Sequence, residues 1–165
     1  LHDLNEPFNS PFVNLYVKPR DFIRYLQNMA HYDQQTLVFE PTDKPYPVGI
    51  LGDIPIHFMH YHSAQEAQEK WETRLKRVNL DNLFIIMTDK DGAEGVTYED
   101  LVAFDNLPFK NKVVFTNKPY PGLASAFYIK GFEQETQVGD LFDFSGWNGA
   151  KYYDQFDYVA WFNQP

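Results

Sequence analysis

The stretch N-L-F-I-I-M-T at residues 82–88, running into T-D-K-D-G at 88–92 and followed by K-V-V-F-T at 112–116, decides the class of fold. Near-continuous hydrophobicity over a short run marks a strand buried on both faces, as parallel strands of α/β sheets are. Thr97 stands where a helix through about residue 104 needs its cap, because a threonine hydroxyl accepts from the first free backbone N–H groups. Residues 82–116 therefore read as a β-α-β unit with a right-handed crossover.

Upstream, F-V-N-L-Y-V at 12–17 is apolar, aromatic and bounded by turn residues, which reads as a strand. Pro19 suits the first position of a helix carrying Phe22, Ile23, Leu26 and Met29 to Ala30 at helical spacing. Residues 36–39 read as a short strand, and a loop with three prolines occupies 41–47. Extended structure resumes at 48–51 and 54–58, with a possible bulge at Gly52. Ser63 and Glu66 fit a capping box opening a helix to about residue 78, whose stripe is Ala64, Ala67, Trp71, Leu75 and Val78 with Arg74 at its edge. A further strand is expected at 126–129 and a short helix around 152–162. The expected architecture is α/β: a mostly parallel central sheet flanked by helices, with an additional β-β connection near 36–58, in a single domain over 1–165. The chain opens at Leu1 without an initiating Met, so a segment of the full-length protein is expected upstream.

Composition narrows the classes of partner. The 165 residues carry 44% hydrophobic and 18% aromatic side chains, far from the composition of disordered chains. With 14 Lys and Arg against 23 Asp and Glu, the net charge of -9 disfavours nucleic acid and anionic membrane surfaces. The absence of cysteine excludes disulfides, thiol catalysis and cysteine-ligated zinc within this sequence. No apolar run reaches the length of a membrane helix, so no membrane insertion is expected, and the expected location is cytoplasmic.

Four constellations could carry chemistry. His57, His60 and His62 form an H-x-x-H-x-H set. On an extended strand His60 and His62 share a face and His57 takes the other, so joint metal coordination needs a break, and no metal site is assigned. A proton-moving role for His60 or His57, or plain polar residues at a strand end, are the alternatives. Arg74 and Arg77 could clamp an anion beside Trp71 or Tyr61 as stacking faces; Arg74 could equally snorkel or pair with Glu40 or Asp53. Asp89 and Asp91 follow the buried strand, where open α/β sheets bind ligands, and resemble the metal-nucleotide D-x-D of glycosyltransferases; the run is also a good turn sequence. The opening segment offers His2, Asp3, Asn9 and Ser10 as possible pocket lining, and D-F-S-G-W-N at 143–148 as a carbohydrate-facing lip or a packed loop.

The succession F-N-S-P-F-V-N-L-Y (8–16), D-F-I-R-Y-L (21–26), Y-P-V-G (46–49), I-H-F-M-H-Y (56–61), K-W-E-T-R-L-K-R-V-N (70–79), N-L-F-I-I-M-T (82–88) and N-K-V-V-F-T (111–116) resembles the bacterial DUF1919 family. The W-x-x-R-x-x-R helix preceded by H-F-x-H-Y is the most specific part. The resemblance implies an α/β fold and an association with exopolysaccharide or capsule synthesis, without supplying catalytic residues or a cofactor. The expected function is a transferase on a sugar or sugar-nucleotide. In it Arg74 and Arg77 neutralise charge, His60 or His57 moves a proton, Trp71 or Tyr61 stacks, Asp89 holds a metal or hydroxyl, and Asn9 and Ser10 line the site. The alternative is a noncatalytic carbohydrate-binding or assembly module, which would show exposed aromatics in a shallow groove.

Overall fold

The computed structural model describes residues 9–91 and 95–164. The chain divides into two compact units, Leu1–Asn82 and Leu83–Pro165. His2 and Asp3 lie outside the described residues.

In the first unit the elements run α1 (Pro19–Gln27), α2 (Met29–Tyr32), β1 (Leu37–Glu40), β2 (Val48–Leu51), β3 (Ile54–His57) and α3 (Ala64–Leu75). Pro19 opens α1, where a missing N–H costs nothing. The expected helix through Ala30 breaks at Asn28, whose φ of -136° and ψ of 37° are not helical. Strands β1, β2 and β3 form an antiparallel sheet in that order. Leu51 pairs with Ile54, so Gly52 and Asp53 make a two-residue turn in place of the expected bulge. Gly52 has a φ of +65°, which side chains other than glycine seldom adopt. Tyr32 donates to Asp53 at 2.8 Å, and Arg24 bridges Asp53 at 3.0 Å and Asp21 at 2.8 Å, tying this turn to both helices.

Alternation along β3 buries Ile54 and Ile56 and sends Pro55 and His57 to the other face. Ser63 caps α3 by accepting from the Glu66 N–H at 3.1 Å. The Glu66 carboxylate reaches past the cap and accepts from the His62 N–H at 3.0 Å, so the reciprocal half of the expected capping box falls one residue earlier. Helix α3 ends at Leu75 rather than 78, with Ala67 and Trp71 buried. Residues 12–17 are not a strand. Asn14 sits at φ 60°, which interrupts extended backbone, and only Tyr16 pairs, in an isolated antiparallel bridge to His57.

The second unit contains β4 (Phe84–Thr88), α4 (Tyr98–Asp105), β5 (Asn111–Thr116), β6 (Ala126–Tyr128), a 3₁₀ turn (Tyr152–Gln155) and α5 (Tyr158–Phe162). Thr97 and Asp100 form a full capping box at the start of α4. Strands β4, β5 and β6 form a parallel sheet in that order. Its core joins Val113, Phe115, Ile129, Phe132 and Val138, with Phe127, Tyr152 and Phe156 packed against it.

The architecture mixes helices and strands as expected, but no mostly parallel central sheet runs through it: one three-stranded sheet is antiparallel and the other parallel. The second departure concerns β4. It forms an edge of its sheet, and Ile86 remains 40% exposed between buried Ile85 and Met87, so the strand is not buried on both faces. Continuous hydrophobicity there reflects one covered face together with aromatic cover near its start, where Phe84 meets Trp161 and Phe162 at 5.1 and 5.0 Å.

Candidate binding groove and the residues around it

An open groove of about 330 Å³ lies in the first unit between the proline-rich 41–47 loop and the entry to α3. Its lining includes Glu40, Thr42, Lys44, Tyr46, His62 and Ser63. Pockets for small ligands start at roughly 300 Å³, so the groove has room for a ligand of sugar size. Pro41, Pro45 and Pro47 restrict the loop that carries Lys44 and Tyr46, which reduces the entropy lost when a ligand orders it. The lining offers a carboxylate, an ammonium group, an imidazole, two hydroxyl-bearing side chains and a phenol, a mixture suited to a ligand rich in hydroxyl groups.

The three histidines separate. His57 ends β3, where its N–H donates to the Tyr16 carbonyl at 2.9 Å and its carbonyl accepts from the Tyr16 N–H at 2.8 Å. Its ring lies 5.8 Å from Tyr16 and 6.0 Å from Tyr46, and its buried Nδ1 has no hydrogen-bond partner. Burial first, then the Lys44 and Lys18 ammonium groups, hold its imidazole below the ordinary value and so favour the neutral ring. His60 is exposed in the turn after Phe58, and His62 reaches the groove. Among the described residues, no group of three or more His, Asp or Glu is placed to hold a metal.

Arg74 and Tyr61 meet, though as a structural clasp. The Arg74 guanidinium donates to the Tyr61 hydroxyl at 2.6 Å and to the Val13 carbonyl at 3.4 Å, and that hydroxyl donates to Val13 at 2.9 Å. The clasp fixes the 12–17 segment over α3. Asp53, one of the carboxylates considered for Arg74, is bound to Arg24 instead. Trp71 is 3% exposed and packs edge-on against Phe12 at 5.2 Å and Phe58 at 6.3 Å, so its ring faces belong to the core. Tyr61 is likewise buried and meets Phe58 at 5.3 Å. Arg77 is exposed past the end of α3, Asn9 is exposed, and the Ser10 hydroxyl accepts from the Phe12 N–H at 3.2 Å.

Asp89 belongs to the second unit, at the carboxyl end of β4, and is 6% exposed. One carboxylate oxygen accepts from the Val138 N–H at 2.7 Å and the other from the Asn117 N–H at 2.8 Å. Burial, the largest influence, raises its carboxyl above the ordinary value against the pull of these N–H groups. Both oxygens are engaged, so the D-x-D resemblance to a metal-nucleotide motif finds a brace at its first aspartate. Asp91 is buried beside it, with its N–H donating to the Gln137 side chain at 2.9 Å.

Glu40, Lys44 and Tyr46 were not singled out from sequence as site residues. The available signal was the proline spacing around a tyrosine in an otherwise polar loop. His62 stood in the histidine set, but nothing in its spacing marked it over His60.

A parallel sheet in one unit, an antiparallel sheet with a flanking groove in the other, and the succession of motifs from 8 to 116 define a mixed α and β protein of one recognisable family. A family model described as Domain of unknown function (DUF1919) matches residues 1–163, and the chain belongs to that family. An uncharacterized protein of Haemophilus influenzae (strain ATCC 51907 / DSM 11121 / KW20 / Rd) is 68% identical over 163 residues, which cover 99% of this chain and 78% of that protein.

Proposed function

We propose that this chain is a carbohydrate-binding protein of bacterial exopolysaccharide or capsule assembly, with its site in the groove formed by Tyr46, Lys44, Glu40 and His62. The observation that carries this reading is the open form of the groove and its lining of mixed-sign polar groups beside an aromatic ring. A hydroxyl-rich ligand satisfies such a lining without requiring a strong excess of either charge. The link to polysaccharide assembly comes from the sequence resemblance described above. The test is titration calorimetry of the protein with glucose, galactose and UDP-glucose. Binding of at least one, weakened about tenfold or more in Tyr46→Ala, is the expected result. Unchanged affinity in Tyr46→Ala would remove the groove from consideration.

A transferase acting on a sugar or sugar-nucleotide is the second reading, favoured by the presence of His62 and Glu40 in one groove. An imidazole and a carboxylate are the usual pair for moving a proton during group transfer. In this reading His62 takes the proton-moving role considered for His60 and His57. Release of UDP from UDP-glucose on adding an acceptor sugar, lost in His62→Ala, separates transfer from binding alone.

A further inference from the structure

The segment Phe142–Lys151 presents aromatic rings to solvent. Trp147 is 108% exposed, as open as in an extended peptide, and Phe142 and Phe144 are 71% and 66% exposed. The loop that carries them is braced. Phe144 and Lys151 form an antiparallel bridge, the Ser145 N–H donates to the Ala150 carbonyl at 2.8 Å, and the Ala150 N–H donates to the Asn148 side chain at 3.1 Å. Gly149, at φ +78°, provides the left-handed residue that closes the turn. The Lys151 ammonium lies 5.9, 5.7 and 5.8 Å from the rings of Phe142, Phe144 and Tyr153, within cation–π range of each. Phe142, Phe144 and Tyr153 are thus gathered around the Lys151 ammonium while the Trp147 indole stands fully exposed at the loop tip.

We propose that this hairpin is a stacking lip for a neutral glycan, with the Trp147 indole receiving the C–H face of a pyranose ring. Charge and area select that occupant. Residues 139–157 hold four aspartates against one lysine, which opposes anionic lipids, nucleic acid and acidic glycans. Three aromatic side chains bury about 450–750 Å² between them, short of the roughly 800 Å² per partner that a stable protein interface takes. A pyranose needs only one flat apolar face and a few hydrogen-bonding groups at its rim, and Asp143, Ser145 and Asn148 lie on the same loop. The choice of a sugar over other flat neutral ligands rests on the carbohydrate reading above. The site itself is separate from the groove in sequence and in unit.

The test is affinity electrophoresis of the full chain in native gels containing dextran, a soluble β-1,3-glucan or galactomannan, run beside calorimetry with UDP-glucose. Retardation by at least one polymer is expected, weakened about tenfold in Trp147→Ala and retained in Trp147→Tyr. Trp147 makes no packing contribution large enough for Trp147→Ala to unfold the protein. Equal retardation of wild type and Trp147→Ala overturns the lip, as does absence of retardation in every gel or association with phosphatidylglycerol vesicles instead. Retardation with no calorimetric binding of glucose, galactose or UDP-glucose leaves the lip standing and removes the groove; the reverse pattern does the opposite.

Discussion

Replacing Asp89 separates a structural brace from a catalytic carboxylate. In the native protein its two oxygens accept backbone N–H groups from Val138 at 2.7 Å and Asn117 at 2.8 Å, in a site that is 6% exposed. Asp89→Ala leaves both donors buried without an acceptor. Each orphaned donor costs about 1–3 kcal/mol, so the substitution is expected to lower unfolding free energy by roughly 2–6 kcal/mol. Asp89→Asn retains one carbonyl oxygen and sets an amide N–H₂ against the other donor, so it should cost about half as much to about the full amount. Urea unfolding followed by far-ultraviolet circular dichroism, with both variants and wild type at one pH, gives the comparison. A loss below about 1 kcal/mol in Asp89→Ala would refute the brace and return Asp89 to the list of candidates for chemistry.

Two other predictions follow from the first unit. Trp71→Ala removes a buried indole packed between Phe12 and Phe58 and is expected to cost about 3–5 kcal/mol by urea unfolding, whereas a loss under 1 kcal/mol would show that the site collapses or that the indole is not core. His57 carries a pH signature: its folded value lies below the unfolded value of about 6.5. The folded protein then resists protonation, so the stability contributed by neutral His57 is fully present above about pH 6.5 and is lost as pH falls through that value towards the folded one. Urea midpoints between about pH 5 and pH 8 should fall less steeply towards acid in His57→Asn than in wild type; parallel curves would contradict the assignment.

Local signals in the sequence were faithful where the physics is local. Pro19 starts α1, Ser63 caps α3, and Thr97 with Asp100 caps α4, because each needs only neighbouring backbone groups. The run at 12–17 misled because its aromatic residues serve tertiary contacts: Phe12 meets Phe22, Tyr25 and Trp71, while Asn14 breaks the extended backbone. Sheet order was not legible, since the hydrophobicity of 82–88 does not reveal that β4 lies at an edge. For the candidate site, Arg74 and Tyr61 were both named as ligand contacts, yet a bond between a guanidinium and a phenol 13 residues apart leaves no mark in the sequence that separates a clasp from a ligand pair. Tyr46 reaches the same groove as His62 only through the turn between β1 and β2, a juxtaposition that no periodicity encodes.

The brace at Asp89 also has a temporal meaning. Its partners lie 28 and 49 residues further along the chain, and neighbouring Asp91 reaches 46 residues ahead to Gln137. A ribosome that has released β4, α4, β5 and β6 has made the strands of the sheet but not the N–H of Val138. Until that residue emerges, burying the Asp89 carboxylate is unfavourable, and the end of β4 stays hydrated. Nascent chains halted before 138 are therefore expected to remain protease-sensitive around residue 89, and those halted far enough beyond it to become protected, so that closure of the second unit waits on translation.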